Sequence, residues 1–438
     1  MTGLDPNPKS TSRRTFLKHS SAAIVGSSIL PRTVFAQADA LGDRELRIAL
    51  IGCGGRGTGA AKQALSTPGK VKLVAMADAF RDRLDKCFSE LGLHDVNVDV
   101  PEERKFVGFD AYEKAIACDV DLVILTTPPG FRPIHFEHAI AQGKHVFMEK
   151  PVAVDGPGIR RVIAAAEVAK EKNLKVGVGL QRHHSKKYLE TVGRLQDGAI
   201  GDITLLRCYW NGGGVWEPRP RQPSMTEMEY QMRNWYYYNW LCGDHIVEQH
   251  IHNLDVCNWI MDGFPVSAQG QGGRQVRTGM EYGEIFDHHM VEYTYADGTK
   301  MLSQCRHIKG AWTSVNEHAH GTLGVANVGG GQIESTGGWK WRFTGDNPDA
   351  YQVEHNDLFA AIRKDEPYNE AEWGAKSTMT AILGRMATYS GQVVSWDDAL
   401  GSELALVPTA YAWDADPPSL PDADGRYPIP TPGMTQSV

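Results

Sequence analysis

A glycine-rich turn between a short apolar segment and a helix-like segment constrains the fold of this chain more than any other feature. Residues 46–51 read LRIALI, which is typical of a buried β-strand, and residues 52–57 read GCGGRG. Gly52 permits the tight turn, Gly54 lets a ligand approach the backbone, and Gly57 lets the following helix pack against the strand. A strand, a G-x-G-x-x-G turn and a helix in this order predict a βαβ unit that binds a dinucleotide.

Asp78 supports this interpretation and bears on which dinucleotide is bound. It follows the next apolar run, residues 71–77, about 20 residues after the last glycine of the turn. A carboxylate there accepts hydrogen bonds from the ribose hydroxyls and favours NAD. Gly55 and Arg56 complete the predicted phosphate-binding loop. Two alternatives stay open: Asp78 as a plain turn residue, and NADP as the ligand, because Arg81 lies close by in the sequence.

The alternation of strand-like and helix-like segments continues beyond the first unit. Residues 120–126 and 145–148 are strand-like, and residues 132–142 between them are helix-like. This pattern predicts a doubly wound α/β domain with a parallel sheet, which we place at residues 44–175. Ligands of such sheets bind at the carboxyl ends of the strands. The residues at these ends are Thr127, Pro128, Glu149 and Lys150.

The tripeptide Glu149-Lys150-Pro151 directly follows a strand in a chain that opens with the glycine-rich turn. In this respect the chain resembles the glucose–fructose oxidoreductase/inositol dehydrogenase family, known as Gfo/Idh/MocA. Thr127-Pro128-Pro129, His135 and Gly143-Lys144-His145-Val146 extend the resemblance. It runs from about residue 46 to about 310, and more loosely to about 400.

The resemblance implies an α/β protein of two domains, a Rossmann domain and a second α/β domain with an open, mostly antiparallel sheet. We place the second domain at residues 176–415. The family relation further implies an NAD(P)-dependent oxidoreductase that moves hydride between a nicotinamide cofactor and a carbinol of a sugar or polyol. The side chain of Lys150 would then lie between nicotinamide and substrate. The open sheet face implies a homodimer or homotetramer.

A second group of polar residues lies in the segment 242–259, CGDHIVEQHIHNLDVCNW. At this point the family has an acidic residue and, four positions later, a histidine, which Glu248 and His252 match. Positions i and i+4 share one helical face. We therefore expect His252 to act as base, Lys150 to polarise the reacting oxygen, and Glu248 to bind substrate or orient a neighbour. Glutamate replaces the usual aspartate, and Asp244 and His245 occupy positions that usually hold glycine and small residues.

Aromatic and polar residues between 209 and 241 suit a carbohydrate pocket, because aromatic faces stack on sugar rings. Trp235 and Tyr236 from this segment are candidate substrate contacts, with a packed aromatic core as the alternative. Arg182 and His183, after a strand-like run, are further candidates because they match a family position near the nicotinamide.

A metal site needs to be weighed because His245, Glu248, His250 and His252 lie within eight residues. Their order is neither H-E-x-x-H nor H-x-x-E-H, and histidines are common as packed residues in helices. We therefore expect no metal. The seven cysteines are scattered, without a CxxC pair, and do not predict a disulfide framework.

The N-terminal segment reads as an export signal. Residues 12–18, SRRTFLK, resemble the twin-arginine motif, a mildly apolar stretch follows, and residues 34–36, VFA, suit signal peptidase. We expect residues 1–36 to direct the folded protein through the twin-arginine translocase to the periplasm, with NAD already tightly bound. A disordered basic tail is the alternative. At the other end, residues 416–438 are rich in Pro, Gly and Asp and predict an extended arm.

Composition excludes some functions and leaves others open. The net charge of −8 argues against a nucleic-acid partner, and no run of 18 apolar residues predicts a membrane span. One alternative function is a redox-neutral, NAD-dependent glycoside hydrolase or lyase that acts through a transient keto-sugar. A non-catalytic sugar-binding protein is a further alternative, against which the presence of Lys150 and His252 argues.

Overall fold

A parallel sheet forms the N-terminal part of the computed structural model, which describes residues 44–436. Its six strands are β1 (Leu46–Ile51), β2 (Val71–Asp78), β3 (Lys105–Val107), β4 (Leu122–Leu125), β5 (His145–Met148) and β6 (Val176–Val178). Their spatial order is β3-β2-β1-β4-β5-β6. The helices that connect them are α1 (Gly55–Leu65), α2 (Arg81–Leu91), α3 (Ala111–Ile116), α4 (Arg132–Ala141) and α5 (Gly156–Glu171). The predicted signal peptide lies outside the described residues.

The direction of strand addition reverses between β1 and β4, which are neighbours in the sheet. In doubly wound sheets such a reversal opens a crevice at the carboxyl ends of the strands. All four residues of β4 are buried, as expected for a strand covered by helices on both faces. The predicted α/β fold with an N-terminal Rossmann sheet is confirmed.

A larger sheet follows after several helical segments. The helices are α6 (Lys186–Gln196), α7 (Glu227–Arg233), α8 (Asn239–Cys242), α9 (His245–Glu248) and α10 (Ile251–Met261). The strands are β7 (Ile203–Gly212), β8 (Ser267–Gly273), β9 (His288–Thr294), β10 (Lys300–His307), β11 (Ser314–Gly321), β12 (Gly324–Asn327), β13 (Gln332–Ser335) and β14 (Lys340–Arg342). The chain ends its regular structure with α11 (Ala350–Lys364), α12 (Ala371–Ser390), β15 (Val394–Ser395) and α13 (Trp396–Gly401).

The nine strands lie in the order β14-β13-β12-β11-β7-β10-β9-β8-β15. Strands β7 and β10 pair in parallel, and the other neighbours pair antiparallel. Burial alternates strictly along β10, so one face of the sheet packs against the helices and the other faces outward. The prediction of a second, mostly antiparallel sheet is also confirmed.

The boundary between the two domains differs from the predicted one at residue 175. Strand β6 pairs with β5 in the first sheet although it lies past that residue. Helix α11 also packs on the first sheet, where Leu358, Phe359 and Ile362 join the apolar core around β1. These residues form an apolar stripe at helical spacing, which the first sheet buries.

A third apolar core joins segments that are distant in sequence. It contains Phe131, the aromatic residues 236–238 and Trp240, with Phe80 and Phe109 packed against it. Residues 402–436, which we call the C-terminal arm, contribute Tyr427 to this core. The arm has no helix or strand and begins well before residue 416, where the sequence predicted its start. No helix in the described part of the chain is long and apolar enough to cross a membrane.

Candidate active site

A cavity of about 660 Å³ lies at the crevice between β1 and β4 and reaches the second domain. It is therefore large enough for a dinucleotide or a comparable ligand to be partly enclosed. Most residues predicted for the site line it. They are Gly52, Gly54, Gly55, Arg56, Gly57, Asp78, Thr127, Pro128, Glu149, Lys150, Trp235, Glu248 and His252.

The glycine-rich turn has little room for side chains at two positions and open space at two others. A Cβ at Gly52, where φ is +98°, would lie 2.6 Å from the Thr127 amide nitrogen, and one at Gly57 would lie 1.9 Å from the Gly52 carbonyl oxygen. A Cβ at Gly54 or Gly55 would meet nothing within 4 Å. Helix α1 starts here without a side-chain cap or an acidic residue in its first turn. Its free N–H groups therefore suit the pyrophosphate of a dinucleotide.

The Asp78 carboxylate is held at the end of β2 by two backbone amides. Its Oδ2 accepts from Cys53 N at 2.6 Å and its Oδ1 from Phe80 N at 2.9 Å. Burial raises the pKa of Asp78. A carboxylate has further lone pairs, which remain for the ribose hydroxyls. Arg81 was the reason to keep NADP as an alternative ligand. Its guanidinium instead binds Asp85 at 2.9 Å and Glu102.

Two partly buried contacts shape the cavity wall near the turn. Arg56 Nε donates to Glu149 Oε1 at 2.6 Å, and the Glu149 side chain is only 6% exposed. The Thr127 carbonyl accepts from Arg132 Nη2 at 2.6 Å. Glu149 and Thr127 are thus engaged with protein groups, and they support the shape of the pocket.

Lys150 and Glu248 form the central ion pair of the site. Lys150 Nζ donates to the Glu248 carbonyl oxygen at 2.6 Å and to Glu248 Oε1 at 3.1 Å. The two side chains are 13% and 14% exposed. Glu248 is the last residue of α9, so its carbonyl has no helical donor, and the ammonium supplies one. The ammonium is thereby fixed at the cavity wall by two oxygens of one residue.

His252 lies on the same wall of the cavity, and its imidazole is neutral. Its side chain is buried and stacks on Trp210 with ring centroids 5.9 Å apart. Burial lowers the pKa of His252 well below its usual range, and the positive charges of Lys150 and Arg182 lower it further. Its Nδ1 is buried without a hydrogen-bond partner. A neutral imidazole can accept a proton, as a general base must.

Glu248 and His252 do not share one continuous helix, which corrects the reasoning from their spacing. Helix α9 ends at Glu248 and α10 begins at Ile251. The backbone widens irregularly between them, since His250 N bonds the carbonyl five residues back, that of His245, at 3.2 Å. Both side chains still reach the cavity because the break lies at its wall, and Gln249 from the break lines it too.

Three predicted substrate residues lie away from the cavity. Arg182 forms an ion pair with the fully buried Glu317. His183 Nε2 lies 2.8 Å from Asp255 Oδ2. Tyr236 is 2% exposed, inside the aromatic core. Internal partners occupy the first two side chains, and packing encloses the third.

The four residues weighed as a zinc set do not converge. His252 and Glu248 line the cavity, whereas His250 Nε2 bonds Ser303 Oγ at 2.7 Å. His245 lies in a different buried group with Asp244. The seven cysteines are free thiols.

Sequence reasoning missed several residues of the cavity wall. Tyr351 of α11 lines the cavity, with the Arg56 guanidinium 5.0 Å from its ring centroid. Phe80 and Phe109 line the end next to Asp78. No local motif marks these positions, because they reach the cavity only through the packing of distant segments.

Comparisons with known proteins identify the family of this chain. The family model GFO_IDH_MocA, an oxidoreductase family with an NAD-binding Rossmann fold, matches residues 46–180. The model of the GFO/IDH/MocA C-terminal domain matches residues 188–327. An inositol 2-dehydrogenase of Serratia proteamaculans is 25% identical over 368 residues, which are 80% of this chain and 96% of that protein. One from Burkholderia cenocepacia is 28% identical over 224 residues, 51% of this chain and 57% of that protein.

Solved structures show the same fold. An aldose-aldose oxidoreductase from Caulobacter crescentus superposes with a TM-score of 0.63 at 18% identity, over 80% of this chain and 100% of that one. Scyllo-inositol dehydrogenase from Lactobacillus casei, solved with NAD(H) and scyllo-inositol, has a TM-score of 0.61 at 22% identity, over 81% and 99%. The two family models together cover more than half of the chain, which belongs to the GFO/IDH/MocA family of NAD-dependent oxidoreductases.

Proposed function

We propose that this oxidoreductase transfers hydride between NAD and a carbinol of a sugar or polyol. The observation that carries the proposal is the Lys150–Glu248 pair beside the neutral His252, on the wall of a cavity that also contains the glycine-rich turn. The relatives named as inositol 2-dehydrogenases act on a polyol, which supports this substrate class.

The roles of the residues follow from their chemistry. Bound NAD supplies a nicotinamide that accepts or returns a hydride. Neutral His252 takes the hydroxyl proton when the alcohol is oxidised. Lys150 Nζ donates a hydrogen bond to the same oxygen and stabilises its developing negative charge. The carboxylate of Glu248 binds the Lys150 ammonium and holds it in place.

The test is a panel of inositols, aldoses and polyols assayed for NADH formation, with Lys150→Met as the main variant. We expect Lys150→Met to lower kcat by about 10² to 10³-fold while NAD binding is kept, because an electrostatic donor is lost. Lys86→Met, which changes an exposed lysine of α2, is the matched control. Unchanged turnover by Lys150→Met, or no turnover of any carbinol by the NAD-loaded protein, would refute the proposal.

One observation favours a second candidate, a redox-neutral glycoside hydrolase or lyase that keeps its NAD. Trp413 of the C-terminal arm packs on Phe80 and Phe109, with ring centroids 5.1 and 4.5 Å apart, and both phenylalanines line the cavity beside Asp78. This packing supports slow release of a bound dinucleotide. The candidate predicts NAD in the supernatant of heat-denatured protein and cleavage of nitrophenyl glycosides without net NADH. Cleavage that depends on added NAD would count against it.

We further propose that the protein is exported in folded form by the twin-arginine pathway, on the motif at residues 12–18. Cofactor loading in the cytoplasm gives a physical reason for folded export. Replacing Arg13 and Arg14 by lysine should retain the protein in the cytoplasmic fraction, whereas replacing Lys9 alone should not. Periplasmic recovery of the double variant would contradict this.

A further inference from the structure

A group of three side chains behind the cavity wall has the composition of a metal site. Asp244 and His245 lie at the start of α9, and His289 lies on β9. Asp244 and His245 are fully buried, and His289 is 3% exposed. One carboxylate oxygen and one nitrogen of each imidazole all lie within 4.8 Å of one another. None of the three lines the cavity, so this group is separate from the site described above.

The hydrogen bonds of His289 leave a bare nitrogen that faces the carboxylate. Its Nδ1 lies 2.9 Å from Thr388 Oγ1, and that hydroxyl donates its single proton to carbonyls of α12, such as Arg385 O at 3.0 Å. The two carbonyls within reach of this one proton favour acceptance by the hydroxyl from the imidazole, so we place the ring proton on Nδ1. Nε2 makes no hydrogen bond and lies 3.3 Å from Asp244 Oδ2. A cation bound to both atoms would relieve the repulsion between this lone pair and the anionic oxygen.

His245 leaves a second nitrogen without a partner. Its Nδ1 lies 2.8 Å from Asp244 Oδ1, and its Nε2 is buried without a hydrogen bond. The ring of His307 lies against it at 4.3 Å, but both nitrogens of His307 are engaged, by Arg277 and by Gln249. Among the described residues, the ion pairs of Asp244 are those with the two histidines. A cation bound by the carboxylate and both imidazoles would balance this buried negative charge.

The backbone at Asp244 is held in an unusual conformation. Its φ is +72° and its ψ is 162°, a region that L-residues rarely adopt. The carboxylate is oriented from outside the group by Tyr389 OH at 2.6 Å and Phe286 N at 2.9 Å. Outer hydrogen bonds of this kind orient the ligands of metal sites. They aim Asp244 at the two imidazoles.

We propose that Asp244, His245 and His289 bind a divalent first-row transition metal ion, which ties the start of α9 to β9. Two imidazoles with one carboxylate are a known ligand set for such ions. Ligands about 2.1 Å from one ion lie about 3.0 to 3.4 Å apart when they are neighbours, which agrees with the 3.3 Å between His289 Nε2 and Asp244 Oδ2. Ligands on opposite sides of one ion lie about 4.2 Å apart, and the ligand atoms of the group lie within 4.8 Å of one another, so the group closes on an ion when its most distant pair moves inward.

The ion would affect the reaction by fixing the position of α9, and with it the groups that hold Lys150. Helix α9 begins at this group and ends at Glu248, whose carbonyl and carboxylate hold Lys150. His307, packed on His245, bonds Gln249 of the cavity wall at 2.7 Å. A fully buried ion is bound during folding and exchanges slowly afterwards. The inference does not depend on which carbinol the enzyme oxidises.

The test measures metal in the full-length protein by plasma mass spectrometry after purification without chelator, and by cobalt absorption after growth with Co²⁺. We expect about one metal ion per chain, and absorption bands of a protein-bound Co²⁺ ion. His289→Ala and Asp244→Asn should each lower the metal content about tenfold or more. His288→Ala is the matched control, because His288 is the neighbouring histidine, is 41% exposed and binds Asp287 instead.

Three results would overturn the proposal. One is wild-type protein with less than about a tenth of an ion per chain after growth in added Zn²⁺ or Co²⁺. Another is equal metal content in His289→Ala and His288→Ala. The last is cobalt that a chelator removes within seconds from the folded protein, which would place it at the surface. The measurements on the wild type do not depend on whether a variant folds. NAD binding is measured separately, and it distinguishes loss of the metal site from failure of the proposed function.

Discussion

His252 shows how its neighbours set the chemistry of one residue. Burial alone lowers the pKa of the imidazole, and the ammonium of Lys150 lowers it further. The ring therefore stays neutral at pH values below 6.5, where an exposed histidine would gain a proton. Lys150 has two effects under the proposed mechanism: it stabilises the reacting oxygen and keeps the base unprotonated.

This double effect predicts the pH dependence of a variant. Because the folded-state pKa of His252 is depressed, wild-type kcat/KM for alcohol oxidation should stay level as pH falls from 8 to about 6. Lys150→Met removes a positive charge, raises the pKa of His252, and should move the acidic decline of its residual activity to higher pH. Profiles of kcat/KM between pH 5 and 9 measure both enzymes. If the acidic decline of kcat/KM lies at the same pH in the wild type and in Lys150→Met, the lysine does not affect the pKa of His252.

At the level of elements, the site depends on irregular segments. The break between α9 and α10 frees the Glu248 carbonyl for Lys150, and a continuous helix would have used that carbonyl internally. The C-terminal arm has no regular structure, yet Leu406, Tyr411 and Trp413 pack against the aromatic core beside the cavity. These two segments position groups that the sheets alone do not.

The packing of the C-terminal arm beside the cavity leads to a prediction about the rate of cofactor release. Trp413→Ala removes two ring contacts, with Phe80 and Phe109, worth about 1 to 3 kcal/mol together. If these contacts help to hold bound NAD, the variant should release it about tenfold faster, as measured by the loss of protein-bound NAD during dilution. Trp339→Ala changes a half-exposed tryptophan ahead of β14 and should leave the release rate unchanged. Equal rates in the wild type and Trp413→Ala would show that the arm does not retain NAD.

At the level of the whole molecule, the outer face of the nine-stranded sheet carries exposed apolar side chains. Met290 on β9 and Val325 on β12 are 46% and 45% exposed, and Trp312, which packs on Tyr209, is 62% exposed. Scattered apolar residues are common on surfaces, but these lie along one sheet face. They support the expectation that copies of the chain associate through this face.

We therefore predict a dimer or tetramer that depends on this face. Met290→Asp should shift the protein toward the monomer in light scattering coupled to size-exclusion chromatography, because a buried unpaired charge at an interface is costly. Leu93→Asp, at an 83% exposed position just after α2, should leave the mass unchanged. A wild-type protein that is monomeric at micromolar concentration would refute the prediction.

The parts of the site that could be predicted are those encoded by short motifs. The glycine-rich turn, Asp78 and Lys150 are marked by residues within one strand and its following loop, and the structure brings them to one cavity. Arg182 and His183 were placed by a family position, but the structure gives them partners, Glu317 and Asp255, that lie far away in the sequence. A local pattern cannot show that a charged side chain is already paired.

The sequence by itself determined the order of strands and helices, the dinucleotide turn and the acidic residue that follows it. These features depend on backbone conformation and hydrophobic periodicity, which are properties of neighbouring residues. Only the tertiary structure decided that Glu248 binds Lys150, that Trp413 packs on Phe109 of the cavity wall, and that His289 meets Asp244 and His245. Each of these contacts joins residues about 40 to more than 300 positions apart in the chain, and such contacts form only when the packing of several elements excludes water from one place.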